Sequence, residues 1–261
     1  MKELISVRTS EYIFNHRIYD EESDKCFAKH SHNLYELIYV KSGCATYSVE
    51  NHSFKAEPQS LILIKPYAYH FFTVDNNTAF EKVGILFDAK YLRLDLSFLT
   101  TKSYSFFKSS TIIENTFEKL IQYHSLFDSD VFVELFLGCT REIVYNLSLQ
   151  NSEAVTLPQN STLIKNALDY INKNLFTIRN ISEVSDAIFV SKNYFLAFFK
   201  QNMNISPKKY IIEKRLVYAH DMLLSGQKPM EIYEKVGFET YSSFYRAYIA
   251  KFGKNPSSAE R

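Results

Sequence analysis

Over roughly the last hundred residues, apolar side chains recur at helical spacing in short amphipathic segments. One arrangement is written twice, as ISEVSDAIFVSKNYFLAFFKQNMNISP and as PMEIYEKVGFETYSSFYRAYIAKFGKNP. Each copy predicts a short helix, a brief turn and a longer helix. In the first copy Tyr194, Phe195, Phe198 and Phe199 make the stripe expected to face a core, which leaves Asn193, Leu196, Ala197 and Lys200 outward. In the second, Phe244, Ala247, Tyr248 and Phe252 are expected inside. Ser242, Tyr245, Arg246 and Ile249 then face out, with Tyr241 near the helix start. Ser191 and Thr240 stand where an N-cap side chain closes a free backbone amide. Between the copies, SPKKYIIEKRLVYAHDMLLSGQKP predicts a further helix from Pro207 to about Leu224, about 27 Å long at 1.5 Å per residue. Pro229 restarts the chain after Gly226.

The first hundred residues have another rhythm. Short β-branched and aromatic runs such as YELIYVKSGCATYSVENHSF and SLILIKPYAYHFFTV are separated by turn residues, which predicts an antiparallel β-sandwich or small barrel over 1–105. Helical period returns in TIIENTFEKLIQYHSLF and DVFVELFLGCTREIVYNLSL, giving a helical packing or dimerisation segment over 106–150. In the second of these helices Phe132, Leu135, Phe136, Cys139, Ile143 and Leu147 form an inner stripe. A second apolar row with Val131, Leu137 and Val144 would suit a symmetric dimer. Residues 151–160 are polar, contain a proline and read as a linker before a helical domain over 161–261. The fold class is therefore α+β, a β-rich domain with following helices and then an all-α domain with two helix-turn-helix units.

Charge divides along the same line. Residues 158–261 hold 15 Lys and Arg against 9 Asp and Glu, and residues 1–157 hold 15 against 20, so the overall +1 conceals a basic domain behind an acidic one. A basic surface supplies phosphate neutralisation, the sequence-blind part of DNA affinity. Lys192, Lys200, Lys208, Lys209, Lys214, Arg215 and Lys251 are the candidates, each alternatively a solvated charge, and Arg215 alternatively a structural ion-pair residue. Composition reads as a cytoplasmic protein. No apolar run approaches the ~18 residues of a membrane span, and the start lacks the apolar stretch of a secretory signal. Cys26, Cys44 and Cys139 have neither disulfide nor zinc spacing and read as reduced, small apolar residues.

Paired helix-turn-helix units point to DNA. The second helix of such a unit enters a major groove about 12 Å wide. Arg246 is the best base reader, because its planar fork can donate two hydrogen bonds to guanine. The DNA-contacting set is Ser191, Lys192, Asn193, Leu196, Ala197, Lys200, Lys208, Lys209, Thr240, Tyr241, Ser242, Tyr245, Arg246 and Lys251. Residues from about 161 to 261 resemble the DNA-binding domain of the AraC/XylS family of bacterial transcription regulators. The resemblance is carried by Ser191, Phe199, Lys200, Tyr210, Arg215, Leu216, Ala219, Leu223, Ile232, Val236, Gly237, Phe238, Phe244, Arg246, Gly253 and Pro256. Asn204, Tyr233, Ile249 and Glu260 depart from it, standing where glycine, a small alanine, lysine and an aromatic are usual.

In the β-rich part, His30-x-His32-x-x-x-Glu36, with Gly43 and later His70, resembles the first cupin motif and its additional histidine. Even offsets would put His30, His32 and Glu36 on one side of a continuous strand. Such a donor set suits a divalent transition metal. The second motif is degraded at Glu57-Pro58-Gln59, which favours a ligand-pocket or structural role and no bound cofactor. His30, His32, Glu36, Tyr39, Tyr47 and His70 are the pocket candidates. Tyr35, Tyr67, Tyr69, Phe71 and Phe72 either join them or fill the core.

The resemblance implies a transcription regulator, an activator more than a repressor. Its partners would be double-stranded DNA, a second copy of itself, RNA polymerase and a small-molecule effector, with no membrane involved. The competing readings are a metal-dependent cupin enzyme tethered to DNA, which needs metal at His30, His32, Glu36 and His70, and a scaffold that sequesters other regulators.

Overall fold

A computed structural model describes residues 1–9, 12–19, 30–75, 79–93, 96, 103–150 and 162–259. The expected linker, Cys26 and Glu260 lie outside them. The chain divides into two compact units. One comprises Met1–Lys29, Leu34–Val49 and Ser53–Leu157, and the other Pro158–Arg261 with the short stretches His30–Asn33 and Glu50–His52.

The first unit carries nine strands, β1 (Lys2–Arg8), β2 (Tyr12–Tyr19), β3 (Tyr35–Ser42), β4 (Ala45–Val49), β5 (His52–Ala56), β6 (Ser60–Ile64), β7 (His70–Val74), β8 (Phe80–Phe87) and β9 (Tyr104–Lys108). They form a six-stranded sheet in the order β1-β2-β8-β3-β6-β9 and a three-stranded sheet in the order β5-β4-β7. Helix α1 (Ala89–Leu92) follows β8, and α2 (Thr111–Leu126) and α3 (Ser129–Ser148) follow β9.

Why β3 and β6 read as near-continuous apolar runs is now evident, because both of their faces are buried. Leu37, Tyr39, Leu61 and Leu63 pack in one core with Phe117, Phe136 and Ile143 of α2 and α3. Their neighbours Ile38, Val40, Ile62 and Ile64 pack in a second core with Tyr47, Phe54 and Phe72 from the smaller sheet. The large sheet is thus a shared wall. Each fully buried Leu or Ile in it contributes about 1.5–3 kcal/mol over exposure. Gly43 turns the chain from β3 to β4 at φ +73, and a Cβ there would run into the Ala79 carbonyl. Leu137 and Val144, expected on an outer row of α3, are core residues instead, and Leu135, expected on the inner stripe, is only half-buried, because the buried stripe is rotated toward Leu137 and Val144.

The second unit is helical, with α4 (Thr162–Lys173), α5 (Ile181–Ala187), α6 (Lys192–Met203), α7 (Pro207–Leu224), α8 (Pro229–Ile232) and α9 (Tyr241–Phe252). Asn180 and Glu183 form a reciprocal capping box at α5. Ser206 caps α7 ahead of Pro207. Asn204 ends α6 at φ +54, the left-handed conformation asparagine tolerates in place of glycine. Leu216, Ala219 and Leu223 of α7 bury against Ile232, Val236, Phe244 and Tyr248. The other half closes around Phe195, Phe199 and Tyr210, whose rings meet edge to face.

Candidate nucleic-acid interface

Both longer helices of the tandem units begin on the side chains expected to cap them. Ser191 accepts from the Tyr194 amide at 3.3 Å, and Thr240 from the Ser243 amide at 3.2 Å. Phe195, Phe199 and Met203 form the buried stripe of α6, while Lys192, Asn193, Ala197 and Lys200 are exposed and Leu196 half-buried. Tyr194 departs from expectation. It lies one step off that stripe, is 53% exposed, and stacks on Phe198 at 5.7 Å. On α9, Phe244 and Tyr248 are fully buried and Ala247 and Phe252 only half.

Thr240, Ser242 and Arg246 are exposed, with Tyr241 half-buried beside them. Arg246 donates from Nε to the Ser242 carbonyl at 3.4 Å, leaving its two terminal nitrogens outside that bond. Those are the pair a guanine edge requires. Tyr245 donates its hydroxyl to Asn255 at 2.7 Å and so braces the end of the domain. Tyr233 is accommodated by donating to Glu234 and meeting the Tyr241 ring edge-on.

The cations separate into two groups. Lys192, Lys200, Lys208 and Lys209 are exposed. Lys251, expected on phosphate, is largely covered, sits 4.0 Å from Glu213, and has its pKa lowered by burial. Lys214 is buried, donating to Asn172 at 2.8 Å and to Glu50 at 3.1 Å, so it cannot serve as a phosphate contact.

Arg215 is buried as well. Its guanidinium donates to the carbonyls of Leu175 at 2.8 Å, Gly237 at 2.7 Å and Ile178 at 2.6 Å. Those carbonyls belong to the turn before α5 and the turn before α9, so one side chain of α7 ties both helix-turn-helix halves to their common strut. Gly237 adopts φ +90, and a Cβ there would lie 2.6 Å from the Phe176 oxygen and 2.7 Å from the Arg215 Cζ. Glycine is required at this point.

Lys192 and Leu196 of α6 and Ser243 and Ala247 of α9 line one cleft of about 620 Å³, so the two longer helices open onto a common side. Arg179 also borders it. The sequence reading missed this residue because it precedes a cap and belongs to no stripe.

Of the cupin-motif candidates, Glu36 and His70 belong to the first unit, while His30 and His32 lie in the stretch that groups with the second. The expected continuous strand is not formed. β3 starts at Tyr35, after a bend, so His30 and His32 precede the strand that carries Glu36. His70 donates from Nδ1 to the Ala68 carbonyl at 2.8 Å and turns Nε2 toward Glu36 Oε2 at 2.9 Å. That orientation is the one a metal-ligating histidine needs. Lys82 places a competing cation beside it, 3.9 Å from Glu36 and 4.6 Å over the Phe72 ring, with its pKa lowered by burial. Tyr47 is buried in the same core, and burial raises its hydroxyl pKa well above the usual value. Tyr39 is not in this group. Its ring stacks on Phe117 at 5.0 Å on the opposite face of the sheet, because its odd offset from Glu36 points it to α2. Cys44 and Cys139 are free thiols.

Residues 184–261 match the family model described as a helix-turn-helix domain, and residues 16–125 the one described as an AraC-like ligand binding domain. The chain is similar to the probable transcriptional regulator LumQ of Photobacterium leiognathi, 33% identical over 99 residues, which are 38% of this chain and 39% of LumQ. It is 24% identical to the uncharacterized HTH-type transcriptional regulator YdiP of Escherichia coli (strain K12) over 247 residues, 88% of this chain and 79% of YdiP. A shorter match to the virulence regulon transcriptional activator VirF of Yersinia enterocolitica is 38% identical over 66 residues, 25% of this chain and 24% of VirF. The matched region thus spans well under half of LumQ and VirF. No helix among the described residues is long and apolar enough to cross a membrane. With a ligand-binding domain of AraC type followed by two helix-turn-helix units strapped to one helix, the chain belongs to the AraC family of transcription regulators.

Proposed function

We propose that this protein reads a DNA sequence with α6 and α9 in two adjacent major-groove segments. The observation that carries the reading is the pair of capped helices lining one cleft, each with an exposed polar face, joined through α7 and Arg215. Asn193, Leu196 and Ala197 are the readers of the first segment, with the apolar pair suited to thymine methyls, and Ser242 and Arg246 those of the second. Lys192, Lys200, Lys208 and Lys209 position the duplex through phosphates. At 18 residues α7 is about 27 Å long, against about 34 Å between successive major-groove faces on one side of DNA, so one chain covers roughly two turns.

Regulation in this reading starts in the first unit, where the buried polar group of Glu36, Tyr47, His70 and Lys82 supplies the effector contacts. A second copy pairs through α3. Val131, Leu135, Gly138, Glu142, Tyr145 and, just past its end, Leu149 follow at alternating steps of four and three residues and share one outward stripe. Glu142 bonds Lys119 at 3.1 Å at its centre, and nothing lies within 4 Å of the position a Gly138 Cβ would occupy. A two-fold antiparallel pairing would set these opposite charges facing and put apolar ends on apolar ends. The setting is the cytoplasm, and the outcome is activation through RNA polymerase.

The test is base-resolved binding. Arg246→Ala should cost about 1–3 kcal/mol at one base position of a selected duplex and leave other positions unchanged. Equal weakening on every sequence would make Arg246 a phosphate contact and overturn its assignment.

A further inference from the structure

The turn between α5 and α6 carries a side chain that folding does not account for. Helix α5 ends in the paired bonds of a left-handed helix terminus, the Phe189 amide donating to the Asp186 carbonyl at 3.1 Å and the Val190 amide to that of Ser185 at 3.0 Å. Phe189 occupies the left-handed position of that terminus, at φ +58. A Cβ disfavours this backbone, which is why glycine, and after it asparagine, is usual there. The rest of the helical unit follows that rule. Among the described residues from 162 to 259, the other positive φ values belong to Asn204, Gly226, Gly237 and Gly253. The turn before α9 closes with the same pair of bonds, from Gly237 to Glu234 and from Phe238 to Tyr233, both at 2.9 Å. Of these positions only Phe189 sets a large ring on such a backbone, and it is 95% exposed, so neither backbone ease nor burial accounts for it. Strain kept without a gain in packing points to a contact made outside the chain.

We propose that Phe189 is a further base-discriminating residue, its ring packing on the methyl group of a thymine at the edge of the segment read by α6. The inference rests on the reading of α6 as a DNA-contacting helix. Phe189 stands two residues before the cap Ser191, and two extended residues span at most about 7 Å, less than the width of a major groove, about 12 Å. A duplex that meets Lys192 and Asn193 is therefore within reach of the ring, and a protein seated on the ring would have to share that surface with the duplex. Phenylalanine offers neither donor nor acceptor to phosphate oxygens or to the polar atoms of the bases. The thymine methyl is the apolar group that the major groove presents, and so the feature of a duplex this ring can distinguish.

The test is a thymine scan on the full chain, with a labelled duplex selected from random sequence and each thymine replaced in turn by deoxyuridine, which removes only the methyl. For wild type, deoxyuridine at one thymine beside the α6 segment should weaken binding about fourfold, the scale of one buried carbon group. In Phe189→Gly the parent duplex should bind about fourfold weaker, and that same deoxyuridine should then cost less than about twofold. Thymines sensed through Leu196 or Ala197 should keep their effects in this variant. Phe189→Tyr, which retains the ring, should restore the effect of the lost thymine. A structural role alone predicts otherwise, because relief of the left-handed backbone makes Phe189→Gly more stable, and a more stable chain that binds its duplex more weakly separates contact from folding. Phe189→Asn, which tolerates the same backbone, is the second variant should glycine loosen the turn. Wild-type affinity with an unchanged thymine scan in both variants overturns the proposal. Weakening that leaves every thymine effect in place makes the ring a backbone contact and overturns it too. A wild-type chain that selects no sequence would instead overturn the reading of α6.

Discussion

Replacing Arg215 with methionine tests how α6 and α9 are held. Methionine keeps the length and apolar stem and removes the guanidinium, which leaves the carbonyls of Leu175, Ile178 and Gly237 without their shared donor. Hydrogen bonds from a charged donor are worth about 1.5–3 kcal/mol each. Relief of the buried charge and partial rehydration offset part of three such bonds, so the expected net loss is about 3–5 kcal/mol. That is a large fraction of the about 5–15 kcal/mol that stabilises a typical domain. In urea, with a slope of about 1.5 kcal/mol/M, the helical transition followed by circular dichroism should shift down by about 2–3 M. Gly237→Ala should reproduce much of the effect from the other side, because its Cβ meets the same guanidinium. Selective DNA binding should fall with stability in both variants. A midpoint shift below about 0.5 M for Arg215→Met would show that the three carbonyls find other donors, and that the strap is not what joins the halves.

Three further expectations follow from particular side chains. Phe189 holds φ +58 while 95% exposed, so its left-handed backbone costs about 1–2 kcal/mol with no burial in return. After the entropy glycine brings, about 0.5–1 kcal/mol, Phe189→Gly should gain a few tenths to 1 kcal/mol, and an unchanged or lower melting midpoint would refute this. His220 accepts or donates at 2.6 Å to the Tyr248 hydroxyl and stacks on Phe252, and its pKa is lowered by burial first and Lys254 second. The unfolded chain therefore takes up this proton first. The neutral residue contributes stability that is whole above about pH 6.5 and declines as pH falls through that value toward the folded pKa. Denaturation series from pH 5 to 8 on wild type and His220→Gln should lose that slope in the variant, and an identical slope would exclude His220 as its source. Gly138→Arg, in open space on the α3 stripe, should yield monomers by light scattering with folding intact, and a retained dimer would move the interface elsewhere.

Much of the helical unit was legible because caps and helical stripes are local. Ser191 and Thr240 could be placed from their position before amphipathic runs, and the αL end at Asn204 from asparagine's tolerance of that backbone. What was not legible depends on partners distant in sequence. Lys214 and Arg215 look like surface cations until Asn172 and the three carbonyls are seen around them. Tyr194 was misplaced by a single step of helix rotation, which a run of four aromatics in six positions conceals. His30, His32 and Glu36 were expected from their even spacing to share one continuous strand, but β3 starts only at Tyr35, and a bend that spacing does not reveal separates the histidines from it. Tyr39 was assigned to the wrong side because aromatic character alone does not distinguish the two faces of a sheet buried on both.

That double burial couples the two sides of the large sheet. Successive residues of β3 answer to different neighbours, Glu36 and Ile38 to the inter-sheet interior and Leu37 and Tyr39 to the helix pair. The strand works as a diaphragm one residue thick. A molecule that pressed on Glu36 would act on the backbone it shares with Leu37, where close-packed aromatic layers such as Tyr39 on Phe117 leave little room to absorb a movement.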